Sequence, residues 1–299
     1  MKIVVFGAGS LGSLVGGLLT RRHDVTLIGR PAHMKAIEES GLVITGMVEA
    51  VVVPRTAERV SDVPEADMVL ITVKAYDTAK ALAEIKPIVN SATRVVSLQN
   101  GLSNPTLLDK AYPWQSVIGV TNLGATKSGN GRVFYAGEGD TYFGTLRAPR
   151  NMAEEVAEIF TSVGMDAFVS DDIMREVWIK AIVNSAINPL TAIVRCKNGK
   201  LLQDEDLREL CHAVCREGEA IAKACGRDLG DKDPFALALD ILRKTAENRS
   251  SMLQDVEKRR RTEIEEITGE LVRKGEENGV QAQVNKTLWH LIRSLSRYQ

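Results

Sequence analysis

The sequence predicts two domains of different class, an α/β domain over residues 1–169 and an all-α domain over residues 170–299. Short β-branched runs bounded by turn residues recur through the first part, as in the buried strands of a largely parallel sheet. These runs stop after Asp171 and Asp172, an N-cap signal, and apolar residues at helical spacing follow. We expect a ligand site in the crevice where two such domains meet.

Composition narrows the functional classes. The chain has 299 residues, 44% hydrophobic and 26% charged, which is ordinary for a soluble globular protein. Its 38 Lys plus Arg balance 39 Asp plus Glu, so we expect neither nucleic acid nor an anionic membrane as a partner. We find no signal peptide and expect no stretch approaching the ~20 apolar residues of a membrane span, and so predict a cytoplasmic protein. The four cysteines fit no zinc or redox spacing, which favours reduced core thiols over a metal site.

A glycine-rich motif, G-x-G-x-x-G, follows the first predicted strand and opens a helix that continues from Leu14 to Thr20. The first glycine makes a tight turn, the second lets the backbone approach a pyrophosphate, and the third lets helix and strand pack closely. This context predicts a Rossmann-type dinucleotide site. The motif comprises Gly7, Ala8, Gly9, Ser10, Leu11 and Gly12.

The second predicted strand, residues 24–28, ends at Gly29 and Arg30. NAD-binding folds commonly place a carboxylate there to bind the adenosine ribose, whereas a guanidinium suits a 2′-phosphate. The sequence therefore favours NADP over NAD. The alternative is that Arg30 is only a solvated loop charge.

Further strands lead to two more candidate residues. Ligands gather at the carboxyl ends of strands in such sheets, and Lys74 and Asn100 follow two of them. Lys74 could neutralise a phosphate, and Asn100 could hold the nicotinamide ribose or a substrate, although an Asn before Gly is also a common turn residue. The predicted strands cover residues 68–73, 94–98, 116–121 and 166–169, a hairpin at 42–45 and 50–53, and an antiparallel pair at 132–136 and 140–144; helices are expected at 76–86 and 152–163.

Residues 176–192 form an apolar run interrupted at every fourth position by Lys180, Asn184 and Asn188. On a helix these side chains drift by only about 80° around the axis, so they form one polar stripe. Apolar residues cover the remaining circumference, which predicts a helix buried nearly all round. A buried lysine with two asparagines needs polar partners, either a self-satisfied structural network or a ligand.

Four more helices are predicted, over residues 204–225, 234–246, 251–278 and 284–298. The only basic run, 258–261, has glutamates around it, and we interpret it as a salt-bridged helix face rather than a nucleic-acid patch. One of Ser250 and Ser251 could cap the third helix while the other points into the crevice. Exposed apolar positions on the last helix make a homodimer possible.

Several blocks of sequence resemble the ketopantoate reductases (2-dehydropantoate 2-reductases) over nearly the whole chain. They are G-A-G-S-L-G at 7–12, V-K at 73–74, Q-N-G at 99–101, K-x-x-x-N-x-x-x-N-P-L-T-A at 180–192, C-K-N-G at 196–199, S-S-M-L-Q-D at 250–255 and R-R-T-E-I at 260–264. The glycine motif is shared with many dehydrogenases, whereas the ladder and the last three blocks are specific. The chain departs from the family at 267–269, often I-N-G, and at 279–285, where prolines are common.

The resemblance implies NADPH-dependent reduction of 2-dehydropantoate to (R)-pantoate, in pantothenate and coenzyme A synthesis. It implies Lys180 as the general acid and Glu263 as a second residue of the catalytic cleft, contacting cofactor or substrate. The implied cofactor-binding residues are those of the glycine motif together with Arg30, Lys74, Asn100, Ala125 and Glu263. The implied substrate-binding residues are Asn100, Lys180, Asn184, Asn188, Asn198 and Ser251.

Such a reduction places negative charge on a carbonyl oxygen, which a donor must stabilise and protonate. Lys180 at an ordinary pKa of about 10.4 is protonated at neutral pH. None of the four histidines falls in a strand-end or cleft motif, and the chemistry needs no metal. Two rivals are a related hydroxyacid dehydrogenase, of the 3-hydroxyisobutyrate or 6-phosphogluconate type, and a non-enzymatic NADP-binding regulator.

Overall fold

In a computed structural model, which describes residues 1–297, the chain divides into two compact units. The first comprises Met1–Gln99 and Asn104–Ile173, and the second comprises Asn100–Ser103 and the chain from Met174 onward. The first unit is α/β and the second is helical, so the predicted fold class is confirmed.

The first unit is built on an eight-stranded sheet and a smaller four-stranded one. Their strand orders are β12-β11-β8-β7-β6-β1-β2-β5 and β4-β3-β10-β9. The strands are β1 (Lys2–Phe6), β2 (Asp24–Ile28), β3 (Leu42–Gly46), β4 (Ala50–Val52), β5 (Arg55–Ala57), β6 (Met68–Ile71), β7 (Arg94–Ser97), β8 (Ser116–Thr121), β9 (Gly124–Gly129), β10 (Arg132–Gly137), β11 (Thr141–Gly144) and β12 (Ala167–Val169). The helices are α1 (Ser10–Leu19), α2 (Pro31–Ser40), α3 (Thr78–Glu84), α4 (Asn104–Ala111) and α5 (Arg150–Thr161).

The centre of the larger sheet is parallel. Strand β1 pairs in parallel with β2 and β6, and β6 pairs in parallel with β7. Val5 of β1 lies opposite Leu27 on one side and Leu70 on the other, and all three side chains are completely buried. Because parallel strands end at the same edge, the segments that follow β1, β2 and β6 emerge together. Those segments carry the glycine motif, Arg30 and Lys74.

The predicted antiparallel pairing of residues 132–136 with 140–144 is wrong. Strand β10 pairs instead with β9, a strand that we had not predicted, and with β3, while β11 pairs with β8 and β12. The β9–β10 hairpin turns at Asn130 and Gly131, and Gly131 has a φ of 67°. An Asn-Gly pair is the usual signal for a two-residue hairpin turn, but the G-A-T-K-S-G composition of β9 hides the strand before it.

The second unit is helical throughout its described part, and Met174–Arg297 contains no strand. Tyr298, the predicted end of the last helix, lies outside the described residues. The helices are α6 (Ile173–Val194), α7 (Lys200–Gln203), α8 (Glu205–Ala224), α9 (Pro234–Lys244), α10 (Ser251–Glu257), α11 (Glu270–Glu277) and α12 (Gln283–Arg297), with a π-helical turn at Glu265–Gly269.

The single long helix predicted over residues 251–278 is wrong. Helix α10 ends at Glu257, Arg259 adopts a left-handed φ of 51°, and irregular backbone continues to the π-helical turn. The basic run 258–261 therefore lies in this exposed break and not on a helix face, although Arg261 does pair with Glu266 at 3.1 Å. The break has no glycine or proline in the sequence to mark it, because an arginine takes the position that usually favours glycine.

Helix α6 corrects a further expectation. By length and composition it is the one described helix that could cross a membrane, whereas the sequence led us to expect no stretch that approaches such a span. Most of its apolar stretch is buried within the protein, as in the core helix of a soluble protein, and Ile182 and Ala186 are completely buried. The prediction of a helix buried nearly all round is thus confirmed.

Candidate functional site

The three motif glycines have three different local roles. Gly7 has a φ of 113°, and a Cβ there would lie 2.5 Å from the backbone nitrogen of Val73. A Cβ on Gly12 would collide with the Gly7 carbonyl oxygen and the Thr72 hydroxyl, so the helix packs directly on the turn. Gly9 is exposed, and a Cβ there would have its nearest neighbour, the Gly7 oxygen, at 3.8 Å. Gly9 thus leaves the backbone open to an approaching ligand.

The turn between β1 and α1 leads directly into the N-terminus of helix α1. The backbone nitrogens of Gly7 and Ala8 both donate to the Ile28 oxygen, at 3.1 and 2.8 Å, which fixes the turn to β2. Gly9 is the N-cap and provides no side-chain cap, and the first N–H groups of a helix lack intrahelical partners. An open glycine beside the positive end of a helix fits a dinucleotide diphosphate.

Arg30 and Lys74 lie at the same edge of the sheet. Arg30 is exposed, follows β2 and is the N-cap residue of α2. Lys74 is partly buried and precedes a 3₁₀ turn at Ala75–Asp77. Two cations beside the glycine turn fit a dinucleotide that carries a phosphate in addition to its diphosphate.

Two residues whose hydrogen bonds fix this edge of the sheet, Gln99 and Thr78, were not predicted from the sequence. The Gln99 side-chain amide donates to the Val73 oxygen at 3.0 Å and to the Thr78 hydroxyl at 2.8 Å. The Thr78 hydroxyl also contacts the Ala75 oxygen and the Asn104 side chain. These bonds fix the backbone on both sides of Lys74. The only sequence signal was the position of Gln99 directly before Asn100.

Ala125 lies in β9, a strand that packs against helix α1. The backbone nitrogen of Lys127, two residues further along β9, donates to the Ser10 hydroxyl at 2.9 Å. The β9–β10 hairpin is therefore fixed against the first residue of α1. Because β9 was not predicted as a strand, this arrangement could not be inferred from the sequence.

In the second unit, Lys180, Glu263 and Asn100 form one polar cluster. The Asn100 amide donates to the Glu263 carboxylate at 3.4 Å, and Glu263 is only 6% exposed. Burial lowers the pKa of Lys180 from its ordinary 10.5 to about 8, and the nearby negative charge of Glu263 opposes that lowering. Our assumption of an unperturbed lysine pKa is therefore wrong. The amine remains mainly protonated at neutral pH.

The other two members of the stripe continue along α6. Asn188 is 6% exposed, whereas Asn184 is partly exposed like Lys180. Within residues 1–297, neither asparagine side chain hydrogen-bonds to another protein group. A network satisfied within the protein does not account for these two amides, which favours the alternative of a ligand.

Asn198 and Ser251 have different surroundings. Asn198 is buried, its amide nitrogen donates to the Thr245 hydroxyl at 2.9 Å, and its side-chain oxygen has no hydrogen-bond partner within the described chain. Ser251 is exposed at the start of α10. Capping falls to Ser250, whose hydroxyl accepts from the Leu253 nitrogen at 3.1 Å. An unpartnered buried oxygen at Asn198 suits a ligand hydroxyl.

Comparison with known proteins agrees with the resemblance in the sequence. The family model described as "Ketopantoate reductase PanE/ApbA" matches residues 3–148, and that described as "Ketopantoate reductase PanE/ApbA C terminal" matches residues 172–296. The chain belongs to the ketopantoate reductase family. A 2-dehydropantoate 2-reductase from Archaeoglobus fulgidus is 41% identical, covering 98% of this chain and 97% of that protein. One from Pyrococcus horikoshii is 38% identical with the same coverage.

Solved structures of similar proteins extend the comparison. A ketopantoate reductase of this family from Ralstonia eutropha JMP134 has a TM-score of 0.92 and 32% identity, covering 100% of this chain and 99% of its own. D-mandelate dehydrogenase with NADH and anilino(oxo)acetate has a TM-score of 0.94 and 26% identity, with the same coverage. The family's architecture therefore also occurs in a dehydrogenase for a different 2-hydroxy acid.

Proposed function

We propose that this chain is an NADPH-dependent 2-dehydropantoate 2-reductase, which reduces ketopantoate to (R)-pantoate in pantothenate and coenzyme A synthesis. The observation that carries the proposal is the cluster of Lys180, Glu263 and Asn100 in a chain of the ketopantoate reductase family. Relatives named 2-dehydropantoate 2-reductase, which align over nearly the whole chain, support the choice of substrate.

In this reaction bound NADPH supplies a hydride to the ketone carbon of the substrate. The Lys180 ammonium donates a hydrogen bond to the ketone oxygen, stabilises the negative charge that develops there, and then transfers its proton to form the alcohol. Glu263 keeps the lysine cationic against the effect of burial. Asn100 holds the Glu263 carboxylate through its amide and fixes the direction of that charge.

Substrate recognition falls to neutral polar groups. On the face of α6 that carries Lys180, Asn184 and Asn188 offer amides that have no side-chain hydrogen bond to the described part of the chain, and the Asn198 oxygen likewise has no partner there. We assign the amides to the substrate carboxylate, and the Asn198 oxygen together with the Ser251 hydroxyl to its alcohol groups. Hydrogen bonds of this kind reject analogues that lack a hydroxyl, because the buried protein groups then stay unpaired.

The cofactor is assigned to the glycine motif, Arg30, Lys74 and Ala125 of the first unit, with Asn100 and Glu263 contacting its nicotinamide end. The open Gly9 and the uncapped start of α1 support diphosphate binding, and the exposed Arg30 guanidinium supports binding of the 2′-phosphate. The assignment of Lys74 rests on its position at the end of β6.

The test is an assay of NADPH oxidation by the purified protein with ketopantoate and a panel of 2-keto acids. The panel includes benzoylformate, because a dehydrogenase for mandelate shares this architecture. We expect the highest kcat/KM with ketopantoate and NADPH. Preferential reduction of benzoylformate with NADH would overturn the proposal and place the chain with the hydroxyacid dehydrogenases.

Two features of the whole protein belong to the same proposal. A biosynthetic reductase of this kind works in the cytoplasm, where NADPH is present. Helix α12 leaves Leu291 45% exposed, and we assign this face to a homodimer. Light scattering on the purified protein tests the dimer, and a mass equal to that of one chain over a wide concentration range would contradict it.

A further inference from the structure

His33 is a buried histidine that the proposed reaction does not use. It is 1% exposed and lies in the first turn of α2. Its Nδ1 accepts a hydrogen bond from the Gly131 backbone nitrogen at 2.9 Å, and its Nε2 contacts the Ser13 hydroxyl at 2.9 Å. Because Nδ1 accepts, Nε2 carries the hydrogen of the neutral ring and donates it to Ser13. Each ring nitrogen therefore has a hydrogen-bond partner.

The ring joins three elements, each of which carries a proposed cofactor residue. Ser13 is completely buried in α1 and directly follows Gly12 of the glycine motif. Gly131 forms the turn of the hairpin whose first strand carries Ala125. His33 itself lies one helical turn after Arg30, and its backbone nitrogen donates to the Arg30 oxygen at 2.9 Å.

We propose that His33 is a positioning residue that fixes Arg30 relative to helix α1 and thereby sets the preference for NADPH over NADH. The inference rests on the proposed function, in which Arg30 binds the 2′-phosphate and α1 the diphosphate. These two anionic groups are attached to the same adenosine ribose, so the spacing between their protein partners determines whether both are bound at once. The imidazole bridges the two helices and holds that spacing.

The arrangement of the ring lets its two bonds be tested one at a time. In His33→Asn the side-chain oxygen can occupy the position of Nδ1 and keep the bond to Gly131, but the side chain is too short to reach Ser13. In His33→Gln the terminal amide lies near the position of Nε2 and keeps the bond to Ser13 instead. Ser13→Ala removes the α1 end of the bridge without changing the imidazole. Only the link between α2 and α1 bears on Arg30.

The readout is the ratio of the dissociation constants for NADH and NADPH, measured by nucleotide fluorescence with the full-length chain. We expect His33→Asn and Ser13→Ala to lower this ratio about fivefold, the change that one net hydrogen bond is worth, with little change in NADH binding. His33→Gln should retain most of the ratio. A merely structural role would weaken both cofactors equally.

Thr93→Val is the matched control. Thr93 is completely buried, its hydroxyl donates to the Ala66 oxygen at 2.7 Å, and it lies directly before β7, at the opposite edge of the sheet from the glycine motif. The same hydroxyl accepts from the Asn90 nitrogen at 3.0 Å, so loss of both bonds should lower stability and leave the cofactor ratio unchanged. Thermal unfolding of every variant verifies that the comparison is made between folded proteins.

Arg30→Ala separates failure of this inference from failure of the proposed function. If Arg30→Ala lowers the ratio while His33→Asn and Ser13→Ala leave it unchanged, the positioning role is wrong and the assignment of Arg30 stands. If Arg30→Ala leaves the ratio unchanged, both the assignment of Arg30 and the inference are overturned. The ketopantoate assay then decides independently whether the reductase function survives.

Discussion

Lys180 is the residue on which the proposed chemistry depends. Two opposing effects set its pKa, since burial disfavours the ammonium and the Glu263 carboxylate favours it. The result, a pKa of about 8, lies close to neutral pH. A general acid works best when its pKa is near the working pH, because it is then largely protonated and also acidic enough to release the proton. The environment thus makes the amine a better proton donor than an exposed lysine.

Replacing Lys180 with alanine should lower kcat for ketopantoate reduction by about 10²- to 10⁴-fold, the usual contribution of a positioned acid. NADPH affinity should change little, because the cofactor is assigned to other residues. Steady-state kinetics and nucleotide fluorescence measure the two quantities. Lys223→Ala, which removes an exposed lysine from the last turn of α8, is the control and should retain full turnover. Substantial activity in Lys180→Ala would remove this residue from the mechanism.

The pH dependence of the reaction should reveal the partnership with Glu263. Reduction needs the ammonium form, so kcat/KM should fall as the pH rises through about 8. Glu263→Gln removes the negative charge that opposes the effect of burial. The alkaline limb of the profile, where kcat/KM falls, should then move to lower pH. Profiles of kcat/KM against pH for the two proteins test this. A limb that stays in place, or moves to higher pH, would show that the carboxylate does not act on the amine.

His33 gives a separate dependence of stability on pH. Burial, followed by the charge of Lys127, lowers its pKa from 6.5 to about 4. Between these values the unfolded chain binds a proton that the folded chain does not, so this contribution to stability is complete above pH 6.5 and is lost as the pH falls to about 4. The loss amounts to about 3 kcal/mol. Urea unfolding at several pH values should show a flatter dependence in His33→Asn, and an identical dependence would contradict the titration of His33.

At the scale of single elements, two glycines in the turn between β1 and α1 serve different purposes, one for stability and one for cofactor binding. Gly12→Ala places a methyl group against the Gly7 oxygen and the Thr72 hydroxyl, and should destabilise the protein by about 1–3 kcal/mol. Gly9→Ala meets no closer atom than 3.8 Å, so stability should be retained. The added methyl group lies where the diphosphate is assigned, and NADPH affinity should fall. Thermal unfolding and nucleotide binding measure the two effects. A Gly9→Ala variant with full NADPH affinity would contradict this place for the diphosphate.

The elements differ in how far the sequence predicts them. The α6 stripe follows from a four-residue spacing in an apolar run, because helix geometry alone puts those side chains on one face. Strand β9 has almost no apolar residues, so its pairing depends on tertiary contacts such as the one between Lys127 and Ser10. The break after α10 lies in a polar stretch, residues 257–263, that contains neither glycine nor proline, so the left-handed Arg259 leaves no mark in the sequence.

One departure from the family pattern has a local explanation. Thr268 lies in the π-helical turn where the family often has Asn, and its hydroxyl donates to the Ser185 hydroxyl of α6 at 3.0 Å. Both residues are completely buried. The turn is therefore fixed to α6 between the levels of Lys180 and Asn188. Thr268 therefore provides a polar link between the π-helical turn and the helix that carries Lys180.

At the scale of the whole chain, the sequence predicts two domains of different class, but it does not predict to which of them each loop belongs. Asn100–Ser103 follows a strand of the first unit, yet it belongs to the second. The Leu102 nitrogen donates to the Glu266 oxygen at 3.4 Å, and Ser103 hydrogen-bonds to the Glu270 side chain. Such contacts join residues more than 150 positions apart, and no local pattern encodes them. For the same reason the hydrogen bond between Asn100 and Glu263 is visible only in the structure.

Cofactor binding should stabilise the folded chain according to mass action. A ligand that binds only the native state raises the free energy of unfolding by about 2.7 kcal/mol at a concentration 100 times its Kd. If Arg30 recognises the 2′-phosphate, NADPH should raise the melting temperature more than NADH at the same concentration. In Arg30→Ala the two cofactors should give nearly equal shifts, because their diphosphates meet the same glycine motif. Thermal unfolding with each nucleotide measures this, and equal shifts in the unaltered protein would contradict the assignment of NADPH as the preferred cofactor.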